Sequence, residues 1–487
     1  MPPWHAAVIS AAVVVLWALW AAVFNTAQFG DNIEQFNWAQ SLELGYHKHP
    51  PLPSWALAVV IKTFGPSVYW AYVLATLCLL GTMGFTWLIG RELVGDRLAG
   101  VAVVLWGLNL SFSQRAQLYN HNTVLVLCIA ATVWCSMCAS RPEPRRWPWW
   151  IATGVAAGAA MLAKYQALVP LAGLLLALVW TGRLRAPARW GGFALALAVM
   201  VAVFAPHAAW VARNDFTTLR YASDAVESAT FWMRLRFVVA FAANQVRLAF
   251  PALVTIALAW AWMRRIGADA APGAAAATDI DPAFGRWMTG LIWFTLAVLL
   301  IMALASGVSL RNHWGVQALQ FFVLWLAVWW DRRVTIDLRI VVMVAMMVQA
   351  VSLAFYAAEH RDPNAVVSNR RIDTAYPARR LARTAVAHWA GATHCPLRYV
   401  EGSVFDAGLV SLYSGGRIQV FGSARATPWV RPEDLRRDGA LFVLDEGDAV
   451  PTGVTHLMAF PLVPENRLGL TGKTLTLGVR LPAAPCR

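Results

Sequence analysis

Long apolar segments dominate the first three quarters of the chain, and short polar connections separate them. Most of these segments approach the roughly 20 residues that a helix needs to cross a bilayer. They cover residues 6–24, 67–90, 98–113, 121–139, 148–163, 166–181, 191–211, 246–263, 287–306, 315–330 and 339–357. The pattern predicts a polytopic α-helical membrane protein with about 11 spans.

The pattern changes after residue 357, where short alternating segments replace the long apolar ones. A helix is predicted over residues 377–391. Strands are predicted over residues 397–401, 417–421, 440–445, 455–460 and 473–480, with Gly, Pro and Asp turns between them. The chain therefore divides into a membrane domain, 1–357, and a soluble α/β domain, 358–487, of about 130 residues, which is enough for its own core.

Basic residues are distributed unevenly between the two sets of connections. With the N-terminus in the cytoplasm, the even-numbered connections carry 14 of them: Arg91, Arg97, Arg141, Arg145, Arg146, Arg183, Arg185, Arg189, Arg264, Arg265, Arg286, Arg332, Arg333 and Arg339. The short turns on the other side carry three, Arg115, Lys164 and Arg311. The positive-inside rule therefore places the first loop, 25–66, the segment 212–245 and the tail outside. The first span has no basic residue before it and is predicted to be an uncleaved anchor.

The composition agrees with a membrane protein. Hydrophobic residues make up 59% of the chain and charged residues 14%, against about 45–50% and 25% in soluble domains. This composition excludes a disordered chain and argues against a soluble enzyme. The net charge of +14 is explained by the cytoplasmic connections, so membrane lipid rather than nucleic acid is the predicted partner.

The first outer loop brings two carboxylates and a cation close to the lipid headgroups. Residues 32–44 suit an amphipathic helix on the bilayer surface, with Phe36 and Trp38 among its anchors. Asp31 precedes this helix where it can act as a cap. Glu34 lies in its first turn and Lys48 follows it, before a Pro-Pro pair that turns the chain back to the membrane.

The order of residues in this loop resembles that of the C-type membrane glycosyltransferases. Asp31 follows the first span, and Trp38-Ala-Gln-Ser-Leu-Glu-Leu-Gly-Tyr46, His49-Pro-Pro-Leu52 and Trp55 come after it. Three further stretches agree, Gly158 to Tyr165, Pro206 to Phe216, and His313-Trp314. Over residues 1–330 the chain is similar to the bacterial branch related to protein O-mannosyltransferases (family 39). The branch includes the aminoarabinose transferase of lipid A and the galacturonosyltransferases of lipopolysaccharide.

The resemblance implies a single displacement on a polyprenyl-phosphate sugar at the outer face of the membrane. Asp31 matches the family's catalytic Asp, and Glu34 is the second catalytic candidate. Because the leaving group is a lipid phosphate, cations must neutralise its growing charge. The predicted phosphate-binding residues are Lys48, Lys164, Arg115 and Arg311. The predicted substrate-binding residues are Tyr46, His49, Asn122, Tyr165 and His313.

Two positions depart from the family pattern. Many members have Glu directly after the first Asp, where this chain has Asn32. Many also have a second Asp in the turn before the fourth span, where Asn122 stands here. An amide cannot act as a base, so Asn122 is predicted to orient a partner by hydrogen bonding.

Simpler interpretations of the site residues stay open at this point. Asp31 can be a plain helix cap, and Glu34 a solvated first-turn residue. Lys48 and Lys164 can extend to the headgroups without contacting substrate. His47 and His49 with a carboxylate supply too few ligands at a defined spacing to predict a metal, although a divalent ion is an alternative.

The cysteines divide into two kinds. Cys135 and Cys138 have CxxC spacing inside a predicted span, where they are interpreted as small packing residues. Cys395 and Cys486 both lie in the outer tail, where an oxidising compartment permits a disulfide.

These observations together predict a glycosyltransferase of the bacterial inner membrane, with its active site and tail in the periplasm. The predicted acceptor is lipid A, lipopolysaccharide core or a related glycolipid. A flippase or transporter of lipid-linked sugars is the main alternative, but it would place ionisable residues within the spans and show repeat symmetry. A protein O-mannosyltransferase is a further alternative.

Overall fold

The structure is a computed structural model that describes residues 1–142, 146–223, 230–266, 280–307, 310–360, 376–463, 474–484 and 486. Arg145, counted among the cytoplasmic residues, lies outside these ranges. The predicted domain division at residue 358 falls in the last turn of a helix that ends at His360, just before the gap of 361–375. That division stays a prediction.

Each of the eleven predicted apolar segments is largely helical. The helices are α1 (Pro3–Phe24), α2 (Gly30–Trp38), α3 (Leu52–Phe64), α4 (Trp70–Gly107), α5 (His121–Ala139), α6 (Trp147–Ala163), α7 (Leu168–Trp180), α8 (Pro187–Arg213), α9 (Thr217–Ser223), α10 (Phe231–Arg265), α11 (Phe284–Met288), α12 (Thr295–Ser306), α13 (Val316–Asp331) and α14 (Leu338–His360). The second and third segments share α4, which Gly95 divides because its φ of 77° breaks the helical path. In the third segment the helix ends at Gly107, short of residue 113.

The helical membrane class is confirmed by the lengths of these helices. Seven helices in the described ranges are long and apolar enough to cross a membrane, with α11 to α12 counted as one. The apolar helix α3 and the segment Tyr165–Trp180 are shorter. The number of about 11 crossings stays a prediction.

Ion pairs join the helices at the end where the sequence predicts the cytoplasm. Arg97 lies 2.7 Å from Asp331, and Arg183 lies 3.7 Å from Glu92 and 3.5 Å from Asp281. Arg141 also pairs with Glu92. Part of the basic charge of these connections is therefore compensated within the fold.

The soluble domain contains one mixed sheet. Its elements are α15 (Ala378–Ala392), β1 (Tyr399–Gly402), α16 (Asp406–Tyr413), β2 (Gln419–Phe421), α17 (Pro432–Asp438), β3 (Ala440–Leu444), β4 (Thr455–Pro461) and β5 (Thr474–Arg480). The strand order is β2-β1-β3-β5-β4, with β1 parallel to β2 and β3, and β5 antiparallel to β3 and β4. All five predicted strands are confirmed to within two residues at each end. A disulfide joins Cys395 to Cys486.

The first outer loop differs from its prediction. Its helix covers Gly30–Trp38 rather than residues 32–44, because Tyr46 folds the following segment back: its ring stacks on Trp38, and its hydroxyl is 2.9 Å from the Trp38 carbonyl oxygen. Phe36 and Trp38 are 6% and 1% exposed, so they pack inside the protein and do not anchor the loop in lipid.

The soluble domain packs directly on α2. Asn37 donates to the carbonyl of Val404 at 2.8 Å, and Gln40 donates to the carbonyl of Ile418 at 3.0 Å. Gly408 on α16 lies so close to Ile33 and Asn37 that a Cβ there would clash with both. The short helix of the first loop is thus held between the membrane helices and the tail.

Candidate active site

Asp31 lies in the first turn of α2 and its side chain is exposed. The N-cap position belongs to Phe29, and no side chain caps this helix, so the interpretation of Asp31 as a helix cap is wrong. Asp31 Oδ2 instead accepts a hydrogen bond from Asn120 Nδ2 at 2.8 Å. A carboxylate in a first turn is favoured by the positive end of the helix.

The neighbouring residue Asn32 has a different environment. Its side chain is fully buried, donates to Gln28 Oε1 at 2.7 Å and to the Gln117 carbonyl at 3.1 Å, and accepts from the Tyr119 amide at 2.8 Å. The position where many family members carry Glu therefore joins α2 to the turn before α5 in this chain.

Lys164 lies on one side of Asp31, in the break that follows α6. Its backbone is extended, with φ −165° and ψ 137°, and its Nζ lies 2.9 Å from Asn122 Oδ1 and 3.4 Å from His313 Nε2. Burial lowers the pKa of Lys164 to about 8, although the Asp31 charge opposes this shift. The ammonium group thus has neutral hydrogen-bonding partners.

A cavity of about 110 Å³ opens between Asp31 and the helices beside Lys164. Its polar wall includes Asp31, Arg115, Asn122 and His313, four of the residues predicted from the sequence. Its apolar wall includes Leu79, Leu118, Val126, Leu248 and Val316. The cavity is therefore lined by both charged and apolar side chains.

Burial, together with the cations around it, keeps the His313 imidazole neutral. Burial lowers the pKa of His313 to about 3, and Lys164, Arg115 and Arg311 add to this effect. Arg311 is itself exposed and lies outside the cavity wall. The three predicted cations Lys164, Arg115 and Arg311 are therefore all close enough to influence one imidazole.

Lys48 lies in a different environment from Lys164. Its Nζ forms an ion pair with Glu34 Oε1 at 2.6 Å and lies 5.8 Å from the centre of the Tyr221 ring. Burial alone would lower the pKa of Lys48, but the Glu34 carboxylate outweighs burial and raises it. Glu34, a predicted catalytic residue, and Lys48, a predicted phosphate-binding residue, therefore form an ion pair in which each charge compensates the other.

His49 packs into an aromatic cluster beneath Lys48. Its ring centre lies 4.2 Å from that of His121 and 6.3 Å from that of Trp38. Burial lowers the pKa of His49 well below its ordinary value, so the ring is uncharged at neutral pH. This arrangement supports a packing position next to the site.

The two predicted tyrosines, Tyr46 and Tyr165, are not among the residues that line the cavity. Tyr46 is 2% exposed and its hydroxyl contacts the backbone carbonyls of Trp38 and Ser41. Tyr165 bonds through its hydroxyl to His207 at 2.7 Å and to Thr218 at 2.8 Å. Both placements support a part in shaping the loop rather than the substrate contact predicted from the sequence.

The structure adds one residue that the sequence analysis did not assign. Asn120 is 4% exposed, forms the N-cap of α5 and contacts Asp31. An Asn directly before an apolar helix is a recognisable N-cap signal. Its contact with Asp31, 89 positions earlier, is not readable from that signal.

Metal binding is not indicated by the described ranges, in which no group of three or more His, Cys, Asp or Glu residues is placed to hold an ion. A larger opening of about 930 Å³, lined partly by Asp281, Asp331 and Arg332, lies at the far end of α13. Since α13 is 16 residues long, that opening is about 24 Å along the helix from the His313 end. It is therefore separate from the site around Asp31.

The chain is similar in sequence to known glycosyltransferases. The family model for dolichyl-phosphate-mannose-protein mannosyltransferase matches residues 48–210. The lipid A galacturonosyltransferase RgtD of Rhizobium johnstonii is 24% identical over 343 residues, 67% of each chain. The lipopolysaccharide core galacturonosyltransferase RgtB of the same organism is 26% identical over 297 residues, 59% of this chain and 58% of its own.

The fold agrees with a solved structure over almost the whole chain. The crystal structure of ArnT from Cupriavidus metallidurans bound to undecaprenyl phosphate superposes with a TM-score of 0.60 and 14% identity, and the match covers 99% of both chains. The chain therefore has the multi-pass helical fold of that structure, with a small C-terminal sheet domain, and the similarities in sequence agree with the resemblance to the C-type membrane glycosyltransferases.

Proposed function

We propose that this protein transfers a sugar from a polyprenyl-phosphate carrier to lipid A or lipopolysaccharide core. The observation that carries the proposal is the cavity beside Asp31, which is lined by the apolar residues Leu79, Val126 and Leu248 as well as by Arg115 and His313. An isoprenoid phosphate combines an apolar chain, which suits the apolar lining residues, with an anionic head, which suits Arg115. The glycolipid acceptor is favoured by the similarity to RgtD, a lipid A galacturonosyltransferase, and to RgtB, a lipopolysaccharide core galacturonosyltransferase.

The proposed reaction is one displacement at the anomeric carbon. The acceptor hydroxyl forms the new bond to C1 of the sugar and gives its proton to Asp31. The bond between C1 and the phosphate oxygen breaks, and the electron pair leaves on polyprenyl phosphate. The base thus acts on the attacking acceptor hydroxyl, and the cations act on the departing phosphate.

Lys164 and Arg115 are the proposed phosphate clamp. Arg115 lines the cavity, and Lys164 is bonded to Asn122 and His313, which line it too. An arriving phosphate gives Lys164 the anionic partner that these neutral groups do not provide. Lys48 already has Glu34 as its partner, so its proposed part is to hold the loop beside Asp31.

The proposed location is the bacterial inner membrane, with the site and tail in the periplasm. The disulfide between Cys395 and Cys486 supports an oxidising compartment for the tail. The tail contacts α2 through Asn37 and Gln40, so the two lie on the same side of the membrane. A periplasm-specific reporter fused after residue 463 should be active, and one fused at residue 183 inactive.

The decisive experiment compares lipid A and core from a deletion strain with those of the parent by mass spectrometry. We expect a fixed mass loss that identifies the sugar and the acceptor together, and its restoration by the wild-type gene but not by the Asp31→Asn gene. Loss of sugar from a protein instead would indicate a protein O-mannosyltransferase. Purified protein that moves the carrier across vesicles without transferring sugar would indicate a flippase.

A further inference from the structure

We infer that Asn120 is a positioning residue that fixes the Asp31 carboxylate for proton transfer. The inference rests on the proposed function, in which Asp31 accepts the acceptor proton. The contact itself is the 2.8 Å hydrogen bond from Asn120 Nδ2 to Asp31 Oδ2.

The orientation of the Asn120 amide is determined by the backbone. Its Oδ1 accepts from the amide N–H of Asn122 at 2.9 Å and of Thr123 at 3.1 Å. If the oxygen and nitrogen of this amide were exchanged, its NH₂ group would face the N–H groups of Asn122 and Thr123, and no hydrogen bond could form. Nδ2 must therefore face Asp31. The helix cap and the contact with Asp31 thus use opposite ends of one buried side chain.

Asn32 makes this connection rigid. It bonds to the Gln117 carbonyl and the Tyr119 amide, directly before Asn120 in the chain. Asp31 and Asn32, which are adjacent in α2, therefore both form hydrogen bonds to the turn of residues 117–120 before α5. The start of α2 cannot shift relative to this turn without breaking these bonds.

The remaining carboxylate oxygen is available for chemistry. Within the described residues Asp31 Oδ1 makes no hydrogen bond, and Asp31 lines the cavity. A general base must come within about 2.6–3.2 Å of the group it deprotonates. Holding Oδ2 leaves Oδ1 as the oxygen that faces the acceptor.

Asn120→Asp is the most informative substitution. Asp caps a helix as well as Asn does, but it replaces the donor facing Asp31 with a second carboxylate. Because like charges oppose ionisation, the acid limb of the pH profile of kcat/KM should move to higher pH. We expect kcat at pH 7 to fall roughly 10- to 100-fold, with the donor KM within about twofold of wild type.

Two further variants separate positioning from capping. Asn120→Ser keeps an oxygen for the cap, but its single, shorter hydroxyl cannot cap α5 and reach Asp31 at once, so kcat should fall without a new charge. Thr230→Asp makes the matched change of a neutral cap to an acidic one at α10, where Thr230 accepts from the Met233 amide, and should leave the pH profile unchanged. A wild-type rate and pH profile in Asn120→Asp, or equal losses in Asn120→Asp and Thr230→Asp, would overturn the inference.

A measurement without turnover keeps this test independent of the proposed function. Infrared titration identifies the Asp31 carboxylate band as the one missing in Asp31→Asn. That band should titrate at higher pH in Asn120→Asp than in wild type. An unmoved band refutes the positioning contact, whereas absent sugar transfer by the wild-type protein refutes only the proposed function.

Discussion

Lys48 and Lys164 have the same side chain and the same predicted role, but the fold gives them opposite environments. Lys48 lies 2.6 Å from the Glu34 carboxylate, which raises its pKa. Lys164 is bonded to Asn122 and His313, and burial lowers its pKa to about 8. Asp31 acts on both lysines through its charge. Under the proposed function, the compensated Lys48 holds the loop, and Lys164, whose hydrogen-bonding partners are neutral, binds the donor phosphate.

The largest effect should come from Asp31, whose charge acts on both lysines. Asp31→Asn should reduce transfer about 10²–10⁴-fold, because Asn cannot accept the proton. Expression should be normal, since Asp31 does not cap α2. The loss of transfer is measured as turnover with a defined polyprenyl-phosphate sugar and lipid A.

Glu43→Gln, a carboxylate change in the same loop, is the matched control and should be near wild type. If Glu34→Gln lost sugar transfer while Asp31→Asn kept it, the general base would be Glu34 instead of Asp31. Losses below about tenfold in both would instead indicate an acceptor that is already ionised, such as a phosphate.

Alanine at each lysine tests the comparison directly. Lys164→Ala should lower kcat/KM for the donor about 10²–10³-fold, as loss of a contact to developing charge does. Lys48→Ala should lower it less than about tenfold, because the pair with Glu34 leaves no net charge for the phosphate. Exposed Lys62 supplies a control, and Lys62→Ala should match wild type. Equal losses at Lys48 and Lys164 would remove the distinction between them.

The pH dependence of donor binding distinguishes the lysines without deleting either. A lysine is charged below its pKa, so Lys164 loses its charge as the pH rises through about 8. We expect kcat/KM for the donor to fall roughly tenfold per pH unit above that value. In Lys164→Arg the alkaline fall should disappear, since Arg stays protonated. An unchanged alkaline limb in that variant would assign the titration to another group.

The smallest effect concerns the compensated pair. Glu34→Gln should lower the free energy of unfolding by about 1 kcal/mol, since the pair is only partly buried. Transfer should fall less than about tenfold, and thermal unfolding in detergent measures the stability change. A loss of transfer as large as that of Lys164→Ala would show that Glu34 does more than hold Lys48.

The site was partly predictable from the sequence. Motifs predict Asp31, Asn122 and His313, the position at an outer membrane end predicts Arg115, and the fold brings all four to one cavity. The positions of Tyr46 and Tyr165 were not predictable, because their hydroxyls bond to groups that only the folded loop and α8 bring near. Asn120 was missed because an N-cap signal describes a helix start and not the partner of its amide.

Local patterns in the sequence predicted the membrane helices and the five strands of the tail, and the distribution of basic residues predicted which connections face the cytoplasm. These follow from local periodicity and from charge counts, which need no knowledge of distant contacts. Only the tertiary structure decided which lysine is compensated and what holds Asp31. The deciding contacts join residues 42, 89 and 149 positions apart, and hydrogen bonding over such separations depends on how the helices pack rather than on any local pattern.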